Sequence, residues 1–162
     1  MPQFKPKDTW FIKERSEAIA CLMLTKRKGI RVRNEREREA GVDLLVEIGE
    51  EDSLSTIHFL VLVRGTVSFE EKLWKPSVKP LFATNPKVLS LPTCVFVINV
   101  RENRALYSWL AEPSVEDHLA RLRFASEGTF EELEQEIVET ILDRVEQWYD
   151  ALNQQLTSRT SG

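Results

Sequence analysis

Asp43, Glu47 and Arg64 are the residues whose types and spacing could do chemistry in this chain. They lie in two neighbouring apolar segments. The first reads Gly41-Val42-Asp43-Leu44-Leu45-Val46-Glu47, and the second His58-Phe59-Leu60-Val61-Leu62-Val63-Arg64-Gly65-Thr66. In a β-strand, residues i, i+2 and i+4 share one face. Asp43, Leu45 and Glu47 therefore share a face, as do Leu60, Leu62 and Arg64. If the two segments pair as a hairpin, an acid and a base can meet on an otherwise apolar sheet. A buried charge is costly unless it is paired or binds an ion. The pattern thus predicts one of two things: a structural salt bridge, or a site for a phosphate and a metal.

These segments resemble the core of the PD-(D/E)XK phosphodiesterase superfamily. They are most similar to a prokaryotic branch with a Gly-x-Asp strand followed by a strand ending Gln-x-Lys-Gly/Thr. In that pattern Asp43 matches the metal-binding aspartate, and Leu62 stands where the family has Glu or Gln. Arg64 stands at the catalytic lysine, with Gly65 and Thr66 after it. The resemblance continues through Leu91-Pro92, the apolar run to Val100, and Ala105-Leu106-Tyr107-Ser108-Trp109-Leu110. It covers roughly residues 10–112. It implies a restriction-endonuclease-like α/β fold. It also implies a site where acidic groups hold Mg²⁺ or Mn²⁺, which activates water and stabilises charge on the scissile phosphate.

Two central positions depart from that pattern. The aliphatic Leu62 supplies no oxygen to a hard cation. Arg64 keeps the charge of lysine but presents a rigid, permanently protonated fork. That fork can bridge to Asp43, where a metal would otherwise sit, or bind a phosphate. Asp43 itself reads either as the first metal ligand or as a turn residue opening a strand. Glu47 shares its face and offers a relocated ligand, unless it lies at the strand's solvent end. Glu17 falls where some members of the superfamily carry a helical glutamate near the metal; it could equally pair with a neighbouring Lys or Arg. The expectation is therefore a degenerate nuclease-like site with no cofactor, Mg²⁺ or Mn²⁺ entering only if the nuclease alternative holds.

Other chemistry is not visible. His58 and His118 have no partner at metal-ligand spacing. Cys21 and Cys94 lie in apolar surroundings and read as small buried hydrophobes. No Gly-rich phosphate loop or nucleophile elbow is present. Trp10, Trp74, Trp109 and Trp148 are scattered, which suits core anchors better than a base-stacking platform. The formal charge of −4 opposes strong nonspecific duplex binding. Lys26, Arg27, Lys28, Arg31 and Arg33 nonetheless cluster, as either a solvated face or a nucleic-acid-binding patch.

With 162 residues, 42% hydrophobic and 30% charged, the chain reads as one globular domain over residues 1–156 and a polar tail over 157–162. The longest strongly apolar run, at residues 94–98, is too short to span a bilayer. The chain has no apolar signal core at its start, so the expected location is cytoplasmic.

The elements that must position these residues follow from periodicity. Residues 9–27 predict a helix, 30–33 a short strand, and 42–48 and 56–64 the two segments above. Residues 67–90 read as irregular, because Pro76, Pro80 and Pro86 oppose a long helix; Trp74, Leu81 and Phe82 still place that segment on the sheet. Residues 93–99 predict a central strand covered on both faces, and 106–110 a further strand. Pro113, Ser114 and Asp117 predict a short helix, and Thr129 with Glu132 caps a long one over residues 129–156. The fold expected is a mixed sheet flanked by helices, with a long C-terminal helix. Val138, Ile141, Val145, Trp148 and Leu152 recur at alternating spacings of 3 and 4, which predicts a homodimer seam on that helix. The function expected is binding or scaffolding beside DNA or DNA-processing proteins. The alternatives are an active nuclease using Asp43 and Arg64 with Glu47 or Glu17, and an oligomeric interaction protein with no nucleic-acid role.

Overall fold

Thr93-Cys94-Val95-Phe96-Val97-Ile98-Asn99 is buried at every position. A strand with both faces covered needs helices above and below it. The computed structural model describes residues 6–34, 44–49, 57–83 and 90–160, and it supplies both layers. The elements run α1 (Pro6–Leu24), β1 (Ile30–Asn34), β2 (Leu44–Ile48), β3 (Ile57–Thr66), α2 (Glu71–Ala83), β4 (Thr93–Asn99), β5 (Arg104–Glu116), β6 (Leu119–Phe124), β7 (Glu131–Glu132) and α3 (Gln135–Thr160).

One mixed sheet has the order β1-β2-β3-β4-β5-β6, with the short β7 paired to β5. β3 and β4 are parallel, and every other neighbouring pair is antiparallel. The parallel pair requires a crossover, and α2 provides it. Alternation then divides the core. Leu44, Val46, Val61, Val63, Cys94, Phe96 and Ile98 pack under α1 and α3. Leu60, Leu62, Val95 and Val97 pack under α2 through Trp74, Val78 and Phe82. The α/β class, the mixed sheet and the long C-terminal helix agree with expectation.

Four segments differ from expectation. Residues 71–83 form a helix despite Pro76 and Pro80. Trp74, Val78 and Phe82 are spaced four apart and all buried, whereas both prolines face solvent. The carbonyls left without an intrahelical donor therefore face water, and burial of the aromatic stripe outweighs the loss. The expected short helix at Pro113 is instead the continuation of β5. Its turn is Asp117-His118, with φ of 52° and 66°, and β6 returns alongside. Two consecutive positive φ values suit a two-residue hairpin. Pro113 is tolerated because β4 pairs with β5 only as far as Ala111, so one side of β5 is free of ladder bonds beyond that point. The long helix begins at Gln135, not at residue 129, because Glu131 and Glu132 join the sheet. α1 likewise ends at Leu24.

Val138, Ile141, Val145 and Trp148 of the expected dimer seam are buried within the chain, and Leu152 is half-buried. The stripe covers the sheet of its own chain. Trp148 Nε1 donates to the Arg121 carbonyl at 2.8 Å, and Ala120 N donates to Gln155 Oε1 at 2.7 Å. The end of α3 is thereby fastened to edge strand β6. No helix among the described residues is long and apolar enough to cross a membrane.

The exposed prolines make a direct test of this account of α2. Pro76→Ala restores an N–H to the helix interior. A gain of about 3 kcal/mol from propensity, less about 1 kcal/mol for the freer unfolded chain, leaves about 2 kcal/mol of added stability. Urea denaturation should show the midpoint rising with an unchanged slope; a fall in the midpoint contradicts the solvent-facing placement.

Candidate functional site

Asp43 lies outside the described residues, and so do the charged residues 35–39 and the turn at 50–53. The remaining candidate positions are described. Leu62 is 5% exposed, in the centre of β3, with Val95 beside it on parallel β4. Trp74, Val78 and Phe82 of α2 close over this layer, and Phe130 meets Trp74 edge-on at 4.9 Å between ring centroids. Position 62 thus belongs to an apolar layer. Arg64 shares this face two residues further on, beside Val97, and is half-buried. Its Nη1 donates to the Val63 carbonyl at 2.8 Å, among other interactions.

Gly65 faces the opposite side, where α1 crosses β3 closely. A Cβ built there would lie 2.5 Å from Ile12 Cγ2, 3.0 Å from Ser16 Oγ and 3.1 Å from the Ile12 carbonyl oxygen. A glycine fits because the Ile12 side chain, the Ser16 hydroxyl and the Ile12 carbonyl of the helix occupy the space, so the pair Arg64-Gly65 combines a charged face with a helix docking point. Gly65→Ala should cost about 1–3 kcal/mol through overpacking. Chemical denaturation is the measure, and an unchanged midpoint overturns this close approach.

Glu47 shares a face with Leu45 and Leu60, as its spacing predicted, because Leu45 pairs with Leu60 and Glu47 with His58. Its side chain is buried, and three basic groups meet it. Arg31 Nε lies 3.5 Å from one carboxylate oxygen. Arg33 Nε and His58 Nε2 lie 3.3 and 3.4 Å from the other. Strand register makes the group: Arg31 is directly opposite Glu47 on β1, and His58 is directly opposite on β3. Arg64 lies six residues along β3 from His58, a separation of roughly 20 Å at the rise of a strand. Glu47 therefore belongs to a different part of this face from Arg64.

Glu17 is buried on α1, where its Oε2 accepts a hydrogen bond from Asn34 Nδ2 at 2.9 Å. Asn34 pairs with Leu44, which packs under α1, whereas Glu47 is on the Leu45 face. The two glutamates offered as replacement ligands are thus on opposite faces of the sheet and cannot share a cation. Cys21, one turn after Glu17, has its thiol pKa raised by burial and then by the Glu17 charge. Burial alone drives the Cys94 thiol far above its usual range. Among the described residues, no three of His, Cys, Asp and Glu converge as a metal site requires. Leu62, Arg64 and Val97 do not form an oxygen cage for Mg²⁺ or Mn²⁺.

The basic cluster separates into parts. Arg27 is clasped by Glu139, Asp143 and Glu146 of α3, at 3.7, 3.0 and 3.0 Å. It ties the turn after α1 to the C-terminal helix. Lys26 and Lys28 are exposed on either side of it. Arg31 and Arg33 form the Glu47 group. His118 occupies the β5–β6 turn and is exposed. The grouping of Glu47, His58, Arg31 and Arg33 was missing from the sequence reading. Its signal was the alternation Arg31-Val32-Arg33, but only the register of β1 on β2 joins the arginines to Glu47. The chain matches no family model, no curated protein and no solved structure.

Proposed function

We propose that this chain is a catalytically degenerate PD-(D/E)XK-like protein that acts by binding or scaffolding, beside nucleic-acid-processing partners. The observation that carries the reading is Leu62. It stands where the resembled motif places an oxygen ligand, and it is sealed in an apolar layer with Val95, Val97 and Trp74. The order α1, β1, β2, β3, α2, β4 supports the restriction-endonuclease-like assignment. It sets three antiparallel strands beside a parallel fourth, joined by a crossing helix. The Arg64 guanidinium strengthens the degenerate reading, since it stays protonated and cannot trade places with lysine in water activation. In this reading Asp43 and Arg64 are remnants of a site, and the retained fold supplies surface.

The test compares the wild type with Leu62→Glu, Arg64→Lys and the double variant, using Mn²⁺ calorimetry and plasmid nicking. The wild type should neither bind Mn²⁺ tightly nor nick. Arg64→Lys alone should recover little, because the oxygen is still missing. The double variant should gain metal affinity, while losing on the order of a few kcal/mol of stability without metal, since it buries a carboxylate. Metal-dependent nicking by the wild type, abolished by Asp43→Ala, would instead establish an active nuclease.

A further inference from the structure

We infer that Arg31 and Arg33, held by Glu47 and flanked by His58, form a phosphate-binding site on the β1 edge of the sheet. The inference does not rest on the nuclease-like reading, because the group lies roughly 20 Å from Arg64 along the strands.

The geometry is the first argument. Both arginines approach Glu47 through Nε, one to each carboxylate oxygen. Contact through Nε occupies the side edge of each guanidinium, and the Nη1–Nη2 end keeps N–H groups of its own. The Arg31 and Arg33 side chains are 42% and 68% exposed. Among the described residues neither meets a second carboxylate. Arg27 makes the contrast within the same chain, since its Nε, Nη1 and Nη2 are all taken by acids of α3.

Charge is the second argument. One carboxylate would be balanced by one arginine. Here, among the described residues, two arginines surround it, one unit of positive charge more than the carboxylate carries. A buried carboxylate with more cations than it needs anchors those cations more than they serve it. Alternate residues on a strand are about 6.6 Å apart, so the two arginines stand one after the other along the edge strand β1. A guanidinium fork matches the paired oxygens of a phosphate. A free phosphate and the backbone of a single-stranded nucleic acid present the same group. Glu47 is then a positioning residue that locks the two arms.

The experiment uses the full chain, with inorganic phosphate in one arm and a labelled single-stranded oligothymidine in the other. Calorimetry reads the first and fluorescence anisotropy across a salt series reads the second. Arg31→Ala with Arg33→Ala should weaken binding at least tenfold in whichever arm binds. For the oligonucleotide it should also flatten the salt dependence by about 1.4, two contacts at about 0.7 each for a single strand. Lys26→Ala with Lys28→Ala removes the same charge from exposed neighbours and should cost less than threefold. Glu47→Gln should weaken binding at least threefold although it makes the protein more positive, because the arms lose their anchor. Binding of phosphate and oligonucleotide with equal strength assigns the site to the free ion. Much tighter binding of the oligonucleotide assigns it to nucleic acid. The inference is overturned if neither binds, if the lysine pair matters as much as the arginines, or if Glu47→Gln binds more tightly. Circular dichroism and thermal melting of each variant confirm folding, and Arg33→Ala alone, with its exposed side chain, provides a variant that keeps its fold.

Discussion

Everything in this fold depends on the parallel pairing of β3 with β4. Two parallel strands cannot be joined by a tight turn, so the chain must cross over one face of the sheet. α2 makes that crossing, bringing Trp74, Val78 and Phe82 down on Leu60, Leu62, Val95 and Val97. The other face of the same strands then needs its own cover, and α1 and α3 provide it from the two ends of the chain. The burial of Phe96 and Ile98 on one side and Val95 and Val97 on the other follows from this pairing.

That constraint also decides what the central position of β3 can do. A polar ligand at residue 62 would sit under α2, among aromatic and β-branched neighbours. With leucine there, the layer is continuous from β3 to β4 and needs no counter-charge. The local cost of a catalytic acid is absent, and with it the oxygen that a divalent cation seeks. Arg64 lies at the margin of this layer, half-buried, with its guanidinium partly satisfied by backbone.

The fold handles its charges by distributing them around the apolar layers. Arg27 is neutralised by three acids spaced along one face of α3, which converts a surface cation into a clamp between the ends of the chain. Glu47 inverts that arrangement, with one buried acid drawing in three basic groups. The first arrangement sets an acid against each nitrogen of its cation and reads as structural. The second leaves the side chains of Arg31 and Arg33 largely exposed, and exposed charge is what an anionic ligand meets first. An acidic chain can thus carry a local positive surface without contradiction.

Periodicity made much of this legible. The β-branched run at 93–99 announced a strand buried on both faces, and alternation put Glu47 with Leu45, and Leu62 with Arg64, before any contact was known. That Leu62 carries no oxygen for a cation is a matter of residue identity alone. Other features needed the tertiary structure. Prolines at 76 and 80 argue locally against a helix, and only the sheet beneath α2 makes its aromatic stripe outweigh them. Pro113 and Ser114 look like a helix start until Asp117 and His118 turn the chain back beside β5. The spacing on α3 suits a second chain as well as a sheet, since a hydrophobic stripe does not specify what covers it. The Glu47 group depends on register, because a shift of one residue would send Arg31 and Arg33 to the other face. Local pattern determined which residues lie on a common face; the pairing of distant strands decided which of those faces meet.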